Sequence, residues 1–149
     1  MVYVLGKGSF HNFKTDNESI IHTPMEMFKV KSGYRYRFRL ISNGILYCPT
    51  QFSIDHHNLT VIATDGSPVE PVEVESVVMY NGERYDIVIH TDQLIGNYWI
   101  RARGDADCKV KTASQLAILR YDGTNDTIPA ESTDYFHGYR SGKVCLLLY

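Results

Sequence analysis

Gly33-Tyr-Arg-Tyr-Arg-Phe-Arg-Leu-Ile-Ser-Asn-Gly44 and, beyond a short loop holding Cys48-Pro49, Gln51-Phe-Ser-Ile-Asp-His-His-Asn-Leu-Thr-Val-Ile-Ala-Thr-Asp65 are the stretches whose reading decides the fold. In the first, Tyr36, Phe38 and Leu40 fall on one face of an extended chain and Arg35, Arg37 and Arg39 on the other. Such period-two alternation marks a half-buried strand. Asn43-Gly44 and Pro49 end it. Phe52–Ile54 starts a second strand, Asp55–Asn58 is a polar turn, and Leu59–Thr64 is a third strand. Three strands in about thirty residues, joined by tight polar turns, set the rhythm of an all-β sandwich or barrel.

The same rhythm continues outward. Met27–Val30 reads as a strand, and so does Val2–Leu5. The polar stretch from Gly6 to Met25 reads as a long surface loop. Val69–Val74 contains Pro71, which donates no ladder hydrogen bond, and is therefore an edge strand. Val77–Tyr80 leads into Asn81-Gly82, a hairpin signal, and then into Glu83–His90. Tyr98–Ala102 and Ala113–Tyr121 complete about nine strands, with no helical period. The expected architecture is an all-β, Greek-key antiparallel sandwich. Tyr36, Phe38, Leu40, Ile54, Val61, Ile87, Ile89, Tyr98, Ile100, Leu116 and Ile118 are expected inside it. The pattern alone allows an immunoglobulin-like sandwich equally.

At 149 residues the chain supports one core. A net charge of -2 and the absence of a basic run argue against nucleic acid as partner. The stripe of Arg35, Arg37 and Arg39 reads as a solvated or domain-facing strand face rather than a dedicated anion site. No stretch has the apolar length of a transmembrane helix, and the start Met-Val-Tyr-Val-Leu lacks the features of a signal peptide. Three sequons begin at Asn17, Asn58 and Asn125 and favour a secretory parent. Asn58 enters a strand, which leaves Asn17 and Asn125 as the candidates for modification.

Chemistry is harder to place. Cys48, Cys108 and Cys145 are spaced unlike a zinc cluster. Cys48 and Cys108 are candidates for a disulfide, a free buried thiol being the alternative. His56-His57 is an adjacent pair whose rings diverge on an extended chain, so a solvated turn is expected. His90 faces opposite Ile89 on its strand, while His11, His22 and His137 lie in expected loops. Glu70, Glu73 and Glu75 read as a solvated edge, and no Gly-x-Ser-x-Gly motif is present. No catalytic, cofactor-binding or metal-ligating residue is therefore assigned.

The stretch from Gly33 to Gly66 resembles the middle, cupredoxin-like domain of laccase-type multicopper oxidases. Gly82-Glu-Arg-Tyr-Asp86, Gly96-Asn-Tyr-Trp-Ile-Arg101 and Gln115-Leu-Ala-Ile-Leu-Arg-Tyr121 match it in the same order, with animal, insect-like laccases looking closest. The match runs from about Gly6 to Gly123. It implies a cupredoxin-like (plastocyanin-like) domain over residues 1–123. Residues 124–149 are then expected to be a linker, Asp122–Gly142 being rich in Gly, Asp, Ser and Thr, with an aberrant apolar tail at Val144–Tyr149. The tail suggests a truncated or mis-spliced reading frame, or else a short tail docked on the sandwich.

The resemblance implies a secreted copper enzyme that oxidises phenols or similar donors and reduces dioxygen to water. Such an enzyme ligates copper through His-x-His and His-Cys-His patterns. This chain has neither, so it is expected to bind no copper itself and to space flanking cupredoxin domains that do. A loop near Tyr47, Pro49, Thr50 and Gln51 corresponds to one that lines the substrate pocket. Pro49 stands where fungal laccases carry an acidic residue, so no substrate carboxylate is carried over. In fungal laccases a cysteine placed like Cys48 bridges to the first domain, a third possibility for that residue. Two readings of other classes compete with the oxidase fragment: a free-standing, metal-free β-sandwich binding module, and a hydrolase whose site is not visible in the sequence.

Overall fold

The computed structural model describes residues 9–12, 19–22, 24–43, 47–109, 113–125, 127–138, 142 and 144–145. The expected strand at Val2–Leu5, the sequon residue Asn17, and residues 139 and 146–149 lie outside the described residues.

Twelve strands are described: β1 Ser9–Asn12, β2 Ser19–His22, β3 Met27–Val30, β4 Arg35–Ile41, β5 Thr50–Ile54, β6 Leu59–Thr64, β7 Ser67–Val74, β8 Ser76–Met79, β9 Arg84–His90, β10 Asn97–Gly104, β11 Ser114–Tyr121 and β12 Val144–Cys145. A short 3-10 turn, Ala106–Cys108, follows β10. Two sheets form the sandwich, one with strand order β4-β9-β6-β7 and one with β12-β8-β5-β10-β11-β3. Pairing is antiparallel except β11 with β3 and β12 with β8. The fold is thus the expected all-β sandwich. β7, with Pro68 and Pro71, is an edge as the proline rule requires.

One correction concerns the region before Met25. Within the expected loop, β1 and β2 pair as an antiparallel hairpin, Ser9 opposite His22 and Asn12 opposite Ser19. The β6–β7 connection is a two-residue turn, Asp65-Gly66, with φ of 48° and 87°. Positive φ at both positions is what a type I′ hairpin demands, and it suits the twist of the flanking strands.

The core between the sheets is built by alternation. On β9, Tyr85, Ile87 and Ile89 are buried, while Val88 and Asp86 between them are half-exposed. Leu59 and Val61 of β6 join them from the same sheet. Phe52 and Ile54 of β5, Val77 and Met79 of β8 and Ile100 of β10 close the core from the other. Fully burying each such aliphatic side chain contributes about 1.5–3 kcal/mol. Tyr36, Phe38 and Leu40 cover the core's margin, half-buried, with Phe38 edge-to-face on Phe28 at 5.4 Å.

β11 corrects the expected phase. Leu116 and Ile118 are not the inward residues; Ala117, Leu119 and Tyr121 are. Ile118 is nevertheless buried, on the opposite face, beside its cross-strand partner Trp99. A strand apolar on both faces carries no period-two signal from which a phase can be read.

What buries that second face is the segment expected to be a linker. Residues 127–138 lie along the outside of β10. Glu131 O accepts from Trp99 Nε1 at 2.9 Å and Ser132 O from Arg101 Nη2 at 3.0 Å, and the Tyr135 hydroxyl donates to Gly104 O. Tyr135 is buried, so over its described part this segment is a docked strap rather than a free linker. Of the apolar tail, the described backbone of Val144–Cys145 adds a short parallel strand beside β8.

Candidate functional site

β10 carries a candidate site at each end. At its C-terminal end, Cys48 and Cys108 are joined in a disulfide with Cα atoms 5.9 Å apart. The bridge fastens the start of β5 to the turn that follows β10, and the Asp105 amide donates to Pro49 O at 2.8 Å beside it. Gly104 is needed here because a Cβ would lie 2.8 Å from Cys108 Cβ and 2.9 Å from its carbonyl oxygen. Of the four loop residues singled out in the sequence, Tyr47 is fully exposed and Thr50 half-buried. Pro49 and Gln51 are buried, and Gln51 Nε2 donates to Ser76 Oγ at 3.3 Å. Among these four residues, Tyr47 and Thr50 are the ones with side-chain surface open to solvent.

At the N-terminal end the turn Asp55-His56-His57 is tied to three neighbours. Asp55 takes a bidentate pair from Arg101, Nε to Oδ1 at 2.7 Å and Nη2 to Oδ2 at 2.6 Å, with both side chains almost wholly withdrawn from water. A planar guanidinium fork suits this geometry and a lysine would not.

His57 is buried, which overturns the expected solvated pair. Its Nδ1 lies 2.8 Å from Asp55 O, a carbonyl that only accepts, so Nδ1 carries the proton. Nε2 then accepts from the Tyr121 hydroxyl at 2.7 Å. Burial lowers the His57 pKa, against a weaker opposing pull from the Asp55 carbonyl and Asp92. Burial also pushes Tyr121 up to about 12.

His56 takes the exposed side of the turn at φ 62° and meets Glu131 Oε1 at 3.0 Å through Nε2. That hydrogen bond holds the Glu131 carboxyl below its ordinary value. Tyr98 sits edge-on to both imidazoles and to Tyr121, at 4.9–5.9 Å between centroids.

An open cleft of about 640 Å³ adjoins this turn. His56, Asn97 and Glu131 supply polar groups to it, and Leu94, Ile95 and Ile128 supply strongly exposed aliphatic ones. Sequence reading missed this cleft, the Asp55–Arg101 pair and the role of Glu131. An Asp in a turn and an Arg on a neighbouring strand give no pairing signal without the register. Glu131 was hidden in a segment read as linker.

Cys48 and Cys108 are oxidised, both nitrogens of His57 are engaged, and His56 is bonded to Glu131. Among the described residues no three His, Cys, Asp or Glu side chains converge on a point that could hold a metal ion. The described donor set does not fit copper.

Two sheets of this topology closed over one core define a cupredoxin-like sandwich, and the sequence profile of the multicopper oxidases matches residues 2–124; the chain belongs to that family. The chain is 38% identical over 109 residues to the oxidoreductase OpS5 of Beauveria bassiana, covering 72% of this chain and 18% of that protein. To a laccase of Trametes maxima it is 42% identical over 102 residues, covering 66% and 20%. A laccase structure from Botrytis aclada superposes with a TM-score of 0.69 at 30% identity, over 84% of this chain and 24% of that one. These are fungal proteins, and the animal, insect-like affinity expected from the sequence blocks has no counterpart among them. The chain spans about a fifth of the length of the curated relatives it matches.

Proposed function

We propose that this chain is the middle domain of a secreted, laccase-like multicopper oxidase, and that its own contribution is structural. The observation that carries the reading is the pairing of a family match over residues 2–124 with a described donor set that does not fit copper. The complete enzyme takes single electrons from phenols or similar donors and passes them to dioxygen, on copper held by flanking cupredoxin domains. The unit is residues 1–123, with 124–149 leading onward from it. Its role is to hold the flanking domains at a fixed separation and to offer the disulfide-tethered loop at Tyr47 as one wall of the substrate pocket.

Family membership disfavours the free-standing, metal-free binding module. Among the described residues no helix is long and apolar enough to cross a membrane.

The test has two parts. Genomic sequence on either side of this reading frame is expected to encode His-x-His upstream and His-Cys-His downstream. The 149-residue chain, loaded with copper and dialysed, is expected to retain no stoichiometric metal and to oxidise no phenol. One copper per chain with a thiolate charge-transfer band would overturn the assignment of a structural role.

A further inference from the structure

We infer that Asn125 is an N-glycosylation site and that its glycan covers the apolar rim of the cleft beside β10. Asn125-Asp126-Thr127 is a sequon, and Asn125 is exposed. It stands at the cleft with Thr127 and the three exposed aliphatics. Asn97 of β10 pins the backbone around it, donating through Nδ2 to Asn125 O at 3.1 Å and to Thr127 O at 2.7 Å. The acceptor is thereby presented on an ordered edge of the sandwich rather than in its sheet. Asn58 is placed differently: its Nδ2 donates to Glu73 Oε1 at 3.1 Å, and it sits between buried His57 and Leu59.

The second observation is the rim. Leu94 is 87% exposed, Ile95 60% and Ile128 64%, all on one cleft. These three side chains give a molecule at the cleft apolar surface to lie against. The first sugars of an N-glycan have one apolar ring face and a polar periphery, which suits an apolar rim around polar groups. In the transfer, the Asn125 amide nitrogen gives up a proton and forms a bond to the anomeric carbon of an oligosaccharide. That carbon's bond to a lipid-pyrophosphate donor breaks, and the lipid pyrophosphate leaves.

The inference rests on the secreted reading of the parent, so the test supplies its own secretion leader. The 149-residue chain is secreted from a eukaryotic host and treated with an amidase that releases N-glycans. Asn17→Gln with Asn58→Gln is expected to leave one mobility step on release, kept by Thr127→Ser and lost in Thr127→Ala and Asn125→Gln. If that double variant is not secreted, peptide mapping of the wild-type chain reads the Asn-to-Asp mark at position 125 directly. A secreted chain with position 125 unmodified overturns the site, whether or not Asn17 or Asn58 is occupied. Release is also expected to raise apolar-dye binding at least twofold, and Leu94→Ser with Ile95→Ser to abolish that rise. Equal dye binding before and after release overturns the covering role. Retention of the natural protein inside cells would instead count against the secreted reading alone.

Discussion

Arg35, Arg37 and Arg39 stand in solvent on the outer face of β4, whereas Arg101 and Arg103, on the outer face of β10, are withdrawn from it almost completely. Both sets alternate with apolar residues along a strand. They differ in what lies outside the sheet. Nothing described covers β4, while β10 lies under the strap of residues 127–138. A guanidinium beneath such a cover must be paired, because removing it from water costs several kcal/mol. Asp55 and Ser132 O serve Arg101 in this way. The exposed arginines need no such partners. Removing a buried partner should therefore be felt strongly, and removing an exposed one hardly at all.

The largest expected effect is that of Asp55→Ala, which leaves Arg101 buried without its counter-charge. Breaking a buried pair from one side costs about 3–5 kcal/mol. Urea titration should show the unfolding free energy lower by that amount than in wild type, read as a fall in midpoint at unchanged slope. A loss below about 1 kcal/mol, the scale of a surface pair, would mean that the strap opens freely and admits water to Arg101.

This contrast also explains how much was legible in advance. On β4, β6 and β9 one face meets the core and the other meets water, so period two showed which was which. Tyr36, Phe38, Val61, Ile87 and Ile89 were all placed correctly on that basis. β11 is buried on both faces, and there the phase was misread. The strap defeated the reading for a different reason: its Gly, Ser, Thr and Asp are linker residues by composition, yet backbone carbonyls of the same segment, those of Glu131 and Ser132, are what Trp99 and Arg101 use. Backbone acceptors leave no trace in side-chain patterning. Likewise the burial of His57 follows from Tyr121, 64 residues away in sequence. The disulfide between Cys48 and Cys108 was only one of three possibilities until the strands were placed.

That disulfide yields the second expected effect. It closes a loop with a sequence separation of 60, and both of its anchors adjoin strands of the six-stranded sheet, β5 and β10. Chain-entropy reasoning puts its contribution near 4 kcal/mol, with measured cases typically about 2–4. Cys48→Ser with Cys108→Ser should lower the urea midpoint accordingly. Protection of β5 and β10 amides from hydrogen exchange should fall more than that of β9. Uniform loss of protection would show that the two sheets open as one unit.

A third expectation concerns pH. The folded pKa of His57 lies below its ordinary 6.5 because the buried ring prefers to be neutral. Stability from this group is whole above pH 6.5, where folded and unfolded chains both hold it neutral. It is lost as pH falls from there through the folded value, because the unfolded chain takes up the proton first. Protonation also puts a donor on Nε2 facing the Tyr121 hydroxyl, which must then cease donating to it. The groups around the ring act unequally: His56 opposes the charge, while Asp92 and Asp55 favour it. Thermal melts between pH 7 and pH 5 should show Tm falling, with a shallower slope in His57→Gln.

The smallest effect is expected from Arg37→Ala, and it completes the contrast. Arg37 pairs with Asp86 across the β4–β9 ladder, its side chain half in solvent and that of Asp86 18% exposed. Water screens the pair, and fixing a long side chain costs rotamer entropy, so such contacts contribute about 0–1 kcal/mol. Asp86 keeps access to water once Arg37 is gone, and no uncompensated charge is buried. The unfolding free energy from urea titration should therefore change within that range, and the change should shrink further in added salt. A salt-insensitive loss of about 3 kcal/mol or more, the scale of a broken buried pair, would show that this face is covered in the folded protein. The two sheets would then share the same environment, and the stripe of arginines would have to be read as an interface rather than as a solvated edge.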